Sequence, residues 1–305
     1  MPCGSNEASF FIAFEHSRKT LNKVRASVPV QRRLLVIFEP PAVNPSQHSL
    51  RVRARYARVL VPSKLQVIQE QDQVYYGGAL HDQDEFQRNL DSFFDKPREA
   101  GTYCLVQQNK FSLVPGSMYT LRQQTAKFFQ DANRNFSLAG KNWNISKTRL
   151  WVEQLYAAKV ALEARSQVDL GLWRWRNLIG SGTLKIVGPV QSSIEFMADH
   201  EVAIVIENDP SYVTEKLFNA LQAGTAVIYC GPNLDDFGIP QKIVKQVPHC
   251  PANVFQAASS LSKAEIEDMR NQALGWISQP EVREKWGYEN SFKRISDLAL
   301  DFLSD

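Results

Sequence analysis

From Thr102 to Cys230 short apolar runs alternate with segments of helical spacing. TYCLVQQNKFSLV, FSLAG, LKIVG, AIVIEN and TAVIYC are strand-like, and MYTLRQQTAKFFQDA, a stretch near 191–199 and a segment from Glu215 are helix-like. Runs that are apolar throughout suit strands buried on both faces, the environment of a parallel sheet. Strands that alternate with helices build right-handed βαβ units. The pattern therefore predicts an α/β fold with a doubly wound parallel sheet.

Ahead of this region LLVIF at 34–38 is another continuous apolar run, and it stops at Phe-Glu-Pro-Pro, where paired prolines end both helix and ladder. RVLVP at 58–62 also ends in proline, after a polar segment carrying Arg51, Arg53, Arg55 and Arg58. Residues 70–101 read as polar surface with one amphipathic turn. Residues 145–178 look helical until Gly-Ser-Gly at 180–182, and the last forty residues are mostly helical with two apolar stripes. A chain of 305 residues has room for two domains. The division is expected near residue 104, with an N-terminal domain over 1–104 and a C-terminal domain with its trailing helices over 105–305. Only 33 residues precede LLVIF, which predicts an N-terminal sheet short of an element.

Composition removes several classes. With 44% hydrophobic and 22% charged residues the chain is not disordered. Thirty-five basic against 32 acidic residues give too small an excess for a nucleic-acid footprint. No apolar run approaches the roughly twenty residues that span a bilayer. The first twenty residues lack the basic and apolar regions of a secretory signal, so the expected compartment is the cytoplasm, where Cys3, Cys104, Cys230 and Cys250 stay as free thiols. None of the cysteines forms a CxxC pair, and the five histidines are isolated, so no metal site is expected. Asp82-Gln83-Asp84 is an acidic triplet of the metal-binding DxD kind, but it follows no apolar strand and reads as solvated loop. Trp173-Arg174-Trp175-Arg176 fits packed rings with solvated charges, or contact with a glycan or the inner face of a membrane.

Residues 203–232, AIVIENDPSYVTEKLFNALQAGTAVIYCGP, hold most of the chemistry. Thr214 can cap a helix with Leu217, Ala220 and Leu221 on its apolar face, and Gly224 can end it in the left-handed conformation. Ligands of open α/β sheets sit outside the carboxyl ends of the strands, where IENDPSYVTEK falls. Lys216 in the first turn faces the positive end of the helix dipole, an unfavourable place for a cation by roughly 0.3–1 kcal/mol. It is explained by an anion at the helix start, or it is a solvated lysine. Glu215 suits the helix start by itself. Arg122 repeats the oddity in the helix after Gly116-Ser117, where Ser117 is the expected cap. Taken alone, Arg122 is an arginine on a solvated face; together, two cations at two helix starts suggest a diphosphate clamp. Glu39, at the end of a buried strand, is either an aimed carboxylate or a water-exposed one.

ENDPSYVTEKLFNALQAG followed by VIYCGP resembles the signature of the α1,3/4-fucosyltransferase family, glycosyltransferase family 10. KFSLVPGSMYTLRQQTAKFF, FSLAGKNWN, LLVIFEPPAVNP and RYARVLVPS resemble its flanking segments. The chain departs from the pattern at Asn208-Asp209, where the family has Asn-Ser, in the short spacer before Tyr212, and at IPQKIVKQV. The resemblance implies a GT-B fold, two Rossmann-like domains facing a cleft, with an N-terminal acceptor domain and a C-terminal domain binding GDP-fucose. It implies inverting transfer to a hydroxyl of a glycan or glycolipid without an obligatory metal. Glu39 would be the general base, Arg122 and Lys216 would hold the diphosphate, and Asn208, Tyr212 and Glu215 would contact nucleotide or sugar. Transfer from another GDP-sugar and a nucleotide-binding relic without catalysis are the alternatives.

Overall fold

The computed structural model describes residues 9–61, 83–144, 147–163 and 184–304. The first sheet is parallel, in the order β1 (Phe11–Phe14), β2 (Arg33–Val36), β3 (Arg58–Leu60). Helix α1 (Arg18–Val24) joins the first pair and α2 (Leu50–Arg53) the second. Alternate residues of β2 point to opposite faces, and both faces are covered. Leu35, with Ile37 beyond the strand, packs with Ala13, Val52, Tyr56 and Val59; Leu34 and Val36 pack with Leu60 and a helix from the far end of the chain. That is why LLVIF lacks polar alternation. Among the described residues this sheet has three strands, and β1 is the one that lies ahead of LLVIF. Its run is only four residues long and ends in the exposed Phe14, too little to read as a strand.

The second sheet has six parallel strands in the order β6-β5-β4-β7-β8-β9. They are β4 (Glu99–Val106), β5 (Asn135–Ala139), β6 (Lys185–Gly188), β7 (His200–Ile206), β8 (Ala226–Cys230) and the two-residue β9 (Lys245–Gln246). The chain winds outward from β4 to β6, with α5 (Lys147–Glu163) between β5 and β6, returns to β7 beside β4, and winds the other way. Helices α4 (Tyr119–Asp131) and α8 (Pro251–Ser260) cover the face of Val202, Ile204 and Ile206; α6 (Ser193–Ala198), α7 (Glu215–Gln222) and α9 (Lys263–Ile277) cover that of Ala203 and Val205. The doubly wound sheet of the sequence reading is there with all five of its strands, although TYCLVQQNKFSLV is strand only to Val106 and the two-residue β9 was not read.

The domain division differs from the expected one. Residue 104 lies in the middle of β4, where the wholly buried Cys104 is paired with Ser137 on one side and Ala203 on the other. The stretch read as polar surface contains α3 (Gln83–Phe93), whose Phe86, Leu90 and the following Phe94 recur every four residues and are buried. Phe86 and Leu90 belong to the core around α6 and α7, so the second body already includes Gln83. Eight polar residues around three apolar ones hid a helix whose stripe is narrow. The C-terminal helices divide as well. After α10 (Pro280–Trp286), α11 (Tyr288–Ser304) crosses back and covers the first sheet with Ile295, Leu298, Ala299 and Phe302, spaced three, one and three apart.

Asp84 is exposed in the first turn of α3, where a carboxylate complements the dipole. Asp82, Cys3, Gly180 to Gly182 and Trp173 to Arg176 lie outside the described residues. Cys104 and Cys230 are buried free thiols and Cys250 is a half-buried one. Among the described residues no helix is long and apolar enough to cross a membrane.

If α11 seals the first domain, Ile295→Ala should lower stability by about 2–5 kcal/mol, the usual cost of truncating a buried isoleucine. Chemical denaturation checks this. A shift under about 0.5 kcal/mol, as at a typical surface position, would show that the helix does not seal the sheet.

Candidate active site

The winding of the second sheet reverses between β4 and β7, so the connections leaving their carboxyl ends diverge and open a crevice. The edges of this crevice are tied before any ligand enters. Gln107, just past β4, donates from Nε2 to the carbonyl of Ile206 at the end of β7. Gly140, just past β5 with φ +125°, lies so close to the same segment that a Cβ would sit 2.2 Å from the Gln107 carbonyl oxygen. Only glycine permits that approach.

Helix α4 enters from one side. Ser117 does not cap it: the N-cap is Met118, and the Ser117 hydroxyl makes no hydrogen bond among the described residues. The Met118 N–H instead donates to the Asn208 carbonyl at 2.9 Å, fixing the helix start to the loop after β7. Four residues on, Arg122 is 2% exposed. Its Nε and Nη2 donate to the Ile206 carbonyl at 3.2 and 2.9 Å, and Nη2 also reaches Asn208 Oδ1 at 2.8 Å. Its guanidinium lies 4.7 Å from the Tyr119 ring centre, and burial pulls its pKa down to about 10. The arginine is thus a bolt across the crevice as well as a cation beside it.

Helix α7 enters from the other side. Thr214 caps it as the sequence suggests, accepting the Lys216 N–H at 3.4 Å, and Gly224 ends it at φ +67°. Beneath the cap lies Glu207, wholly buried and not singled out by the sequence reading. Its carboxylate accepts the Thr214 N–H at 3.0 Å, the Thr214 hydroxyl at 2.6 Å and the Tyr229 hydroxyl at 3.4 Å. Burial raises its pKa, and the Lys216 charge opposes the shift. A Cβ on Gly231 would stand 2.4 Å from the Tyr229 hydroxyl and 2.8 Å from Glu207 Cγ, so this residue must be glycine for the pair to meet. The signal that singles out Glu39, an acid ending an apolar run, is also present in VAIVIE.

Lys216 Nζ lies 3.0 Å from Thr214 Oγ1 and 3.2 Å from Glu215 Oε1. Glu215 therefore complements the helix dipole, as its place in the first turn suggests, and also pairs with the misplaced lysine, which the sequence reading did not anticipate. Asn208 donates from Nδ2 to the Tyr212 hydroxyl at 3.1 Å, completing a chain Arg122–Asn208–Tyr212. Burial, then the nearby Glu207 charge, raise the Tyr212 pKa well above that of a free phenol. Asp209, where the resembled family has serine, is buried and holds the N–H and hydroxyl of Ser211.

Glu39 comes from the other domain, just past β2, and is half-buried. One cavity of about 300 Å³ is lined by Glu39 and by Arg122, Asn208, Tyr212, Glu215 and Lys216. All six residues named from the sequence share it. It also takes in Lys110, Ser193 and Asn219, which the sequence reading passed over. Among the described residues no three His, Cys, Asp or Glu side chains gather to hold a metal.

No family model and no curated protein matches the chain. Solved structures do. HepE of Anabaena, crystallised with UDP and glucose, superposes with a TM-score of 0.53 over 95% of this chain and 78% of its own, at 12% identity. A glycosyltransferase of Rickettsia africae ESF-5 gives 0.51 over 97% and 77%, at 10% identity. The fold is GT-B. At such identities the likeness concerns the arrangement of two parallel-sheet domains around a cleft, and the chemistry rests on this chain's own residues.

The Glu207 network carries a prediction. Glu207→Ala leaves the Thr214 N–H, its hydroxyl and the Tyr229 hydroxyl buried without an acceptor, at roughly 1–3 kcal/mol for each unsatisfied group. Glu207→Gln keeps an oxygen for Thr214 and should lose much less. Equal melting temperatures for the two variants would show that the carboxylate does not support α7.

Proposed function

We propose that the chain is an inverting glycosyltransferase that moves fucose from GDP-fucose to a hydroxyl of a glycan or glycolipid. The observation that carries this reading is the shared cavity: cations and a helix start on the second domain face a carboxylate on the first. The nucleotide diphosphate lies against Lys216, Arg122 and the N-terminus of α7, where free N–H groups and the dipole favour an anion. Lys216 then exchanges part of its pairing with Glu215 for the phosphates. Asn208, Tyr212 and Glu215 line the same wall and contact ribose, base or sugar.

Glu39 takes the proton of the acceptor hydroxyl. The oxygen forms its bond to the anomeric carbon as the bond from that carbon to the β-phosphate oxygen breaks, and GDP leaves with the electron pair. Base and leaving group are on opposite domains, hence on opposite faces of the sugar, and the configuration inverts. The charge that grows on GDP is met by Lys216, Arg122 and the helix start, so this reading calls for no metal.

Fucose and guanine rest on the ENDPSYVTEK resemblance. HepE was crystallised with UDP-glucose as well as with UDP and glucose, and that likeness, with a TM-score of 0.53, favours a UDP-sugar as the second reading. Transfer assays with GDP-fucose, other GDP-sugars and UDP-glucose separate the two. A thermal shift with GDP but no turnover on any donor or acceptor would make the chain a nucleotide-binding relic.

Lys216→Ala should weaken GDP binding by roughly 1.5–3 kcal/mol, the worth of a hydrogen bond to a charged group, as read by calorimetry. Lys216 is the better probe of the two cations, because Arg122→Ala also removes one of the two side chains that donate to the Ile206 carbonyl. Unchanged GDP affinity in Lys216→Ala would remove the diphosphate from this helix start. Glu39→Gln should cut transfer about a hundredfold or more and leave donor affinity unchanged, since only the proton acceptor is lost. Near wild-type transfer by this variant would end the assignment of the base.

A further inference from the structure

The Phe38–Glu39 bend is held by a residue that carries several energetic penalties at once. Glu15 follows β1 and has φ +62°, a region in which glycine is at ease and a glutamate is strained. Its N–H donates to the Val36 carbonyl at 2.9 Å, which brings its side chain back over the end of β2. There Oε1 accepts the N–H of Phe38 at 2.8 Å and, more weakly, that of Glu39 at 3.3 Å. Oε2 is buried and makes no hydrogen bond among the described residues. Burial raises the Glu15 pKa, its two backbone partners lower it, and the like charge of Glu39 raises it further. The opposite peptide group of Glu39 is held too, its carbonyl oxygen lying 2.7 Å from His48 Nε2. Pro40 and Pro41 come next and have no N–H with which to fix the bend themselves.

A loop that needed only two N–H groups satisfied could use water, or a neutral side chain on a relaxed backbone. Here strain, an orphaned carboxylate oxygen and a like-charge neighbour converge on one residue, next to the side chain that faces the cavity. Costs of that kind persist where geometry is demanded. We propose that Glu15 is a positioning residue for Glu39: its carboxylate fixes the two N–H groups entering the bend, and so aims the Glu39 side chain at the acceptor hydroxyl. This rests on the reading of Glu39 as base. The function is geometric, so it belongs in turnover and not in donor affinity. A misplacement of a reacting group by about 1 Å can cost on the order of a hundredfold in rate.

Two variants test it. Glu15→Gly adopts the backbone conformation without strain and removes the carboxylate, so the fold is kept. Glu15→Gln keeps an oxygen acceptor in place. Hydrogen exchange at the Phe38 and Glu39 amides, GDP affinity, and kcat with donor KM are measured on each. Glu15→Gly should lose amide protection at 38 and 39, bind GDP as the wild type does, and fall at least about tenfold in kcat with donor KM unchanged. Glu15→Gln should restore both protection and most of kcat. Unchanged protection in Glu15→Gly overturns the clamp, whatever the activity. Lost protection with wild-type kcat, or a loss shared by GDP binding and turnover alike, reduces Glu15 to a structural staple and overturns its positioning role. A wild-type protein that transfers no sugar from any donor would remove the enzymatic reading instead, and the exchange measurement would still decide whether Glu15 holds the bend.

Discussion

The carbonyl of Ile206 is where this molecule is locked. It ends β7 at the reversal of the sheet, and it accepts from Gln107 on the neighbouring strand segment and from Arg122 on α4. Ile206 is still in register with Cys230 of β8 but lies beyond the last residue paired with β4, and a bare carbonyl on that side would be a buried liability. Two side chains meet it instead, and one of them brings a positive charge to the crevice wall. The same guanidinium orients Asn208, which orients Tyr212. Structure and the proposed site chemistry share these atoms, so hydrogen bonds within the chain place this wall of the crevice.

On the other flank, α7 begins above a fully buried carboxylate. Glu207 holds the cap residue Thr214 by both its N–H and its hydroxyl, and Lys216 offsets part of the buried charge. The lysine that looks misplaced against the helix dipole is thus compensated from below by Glu207, alongside by Glu215, and, in the proposed reaction, from above by the diphosphate. In the proposed reaction an aligned N-terminus with a balanced cation would hold the diphosphate and let it go with the nucleotide.

The two domains contribute unlike things. The second is a large sheet with both faces covered and a preformed wall. The first has three short strands, borrows α11 from the end of the chain for one of its faces, and supplies a carboxylate on a bend. That bend is held from outside by Glu15 and His48, not by its own ladder. Helix α11 reaches the first sheet from the far end of the chain, and none of its residues lines the cavity.

Much was legible in the residues because the physics there is local. Strand burial on both faces writes itself as AIVIE and TAVIYC, a cap and a left-handed stop write themselves as Thr214 and Gly224, and the helix between them follows from spacing. The six site residues were named from such signals joined to a resemblance. What the sequence could not hold is anything that depends on two distant segments meeting. Ser117 looks like a cap but is displaced by a bond from Met118 to Asn208, 90 residues on. The boundary at residue 104 fell inside β4, because α3 hides its narrow apolar stripe among polar residues. Glu15 and Glu207 have no local mark beyond a strand end, and their roles appear only once Phe38, Thr214 and Tyr229 are brought to them. Periodicity and capping are decided by a residue and its near neighbours; the approach of a carboxylate to its partners across the fold is decided by packing, and only the tertiary structure contains it.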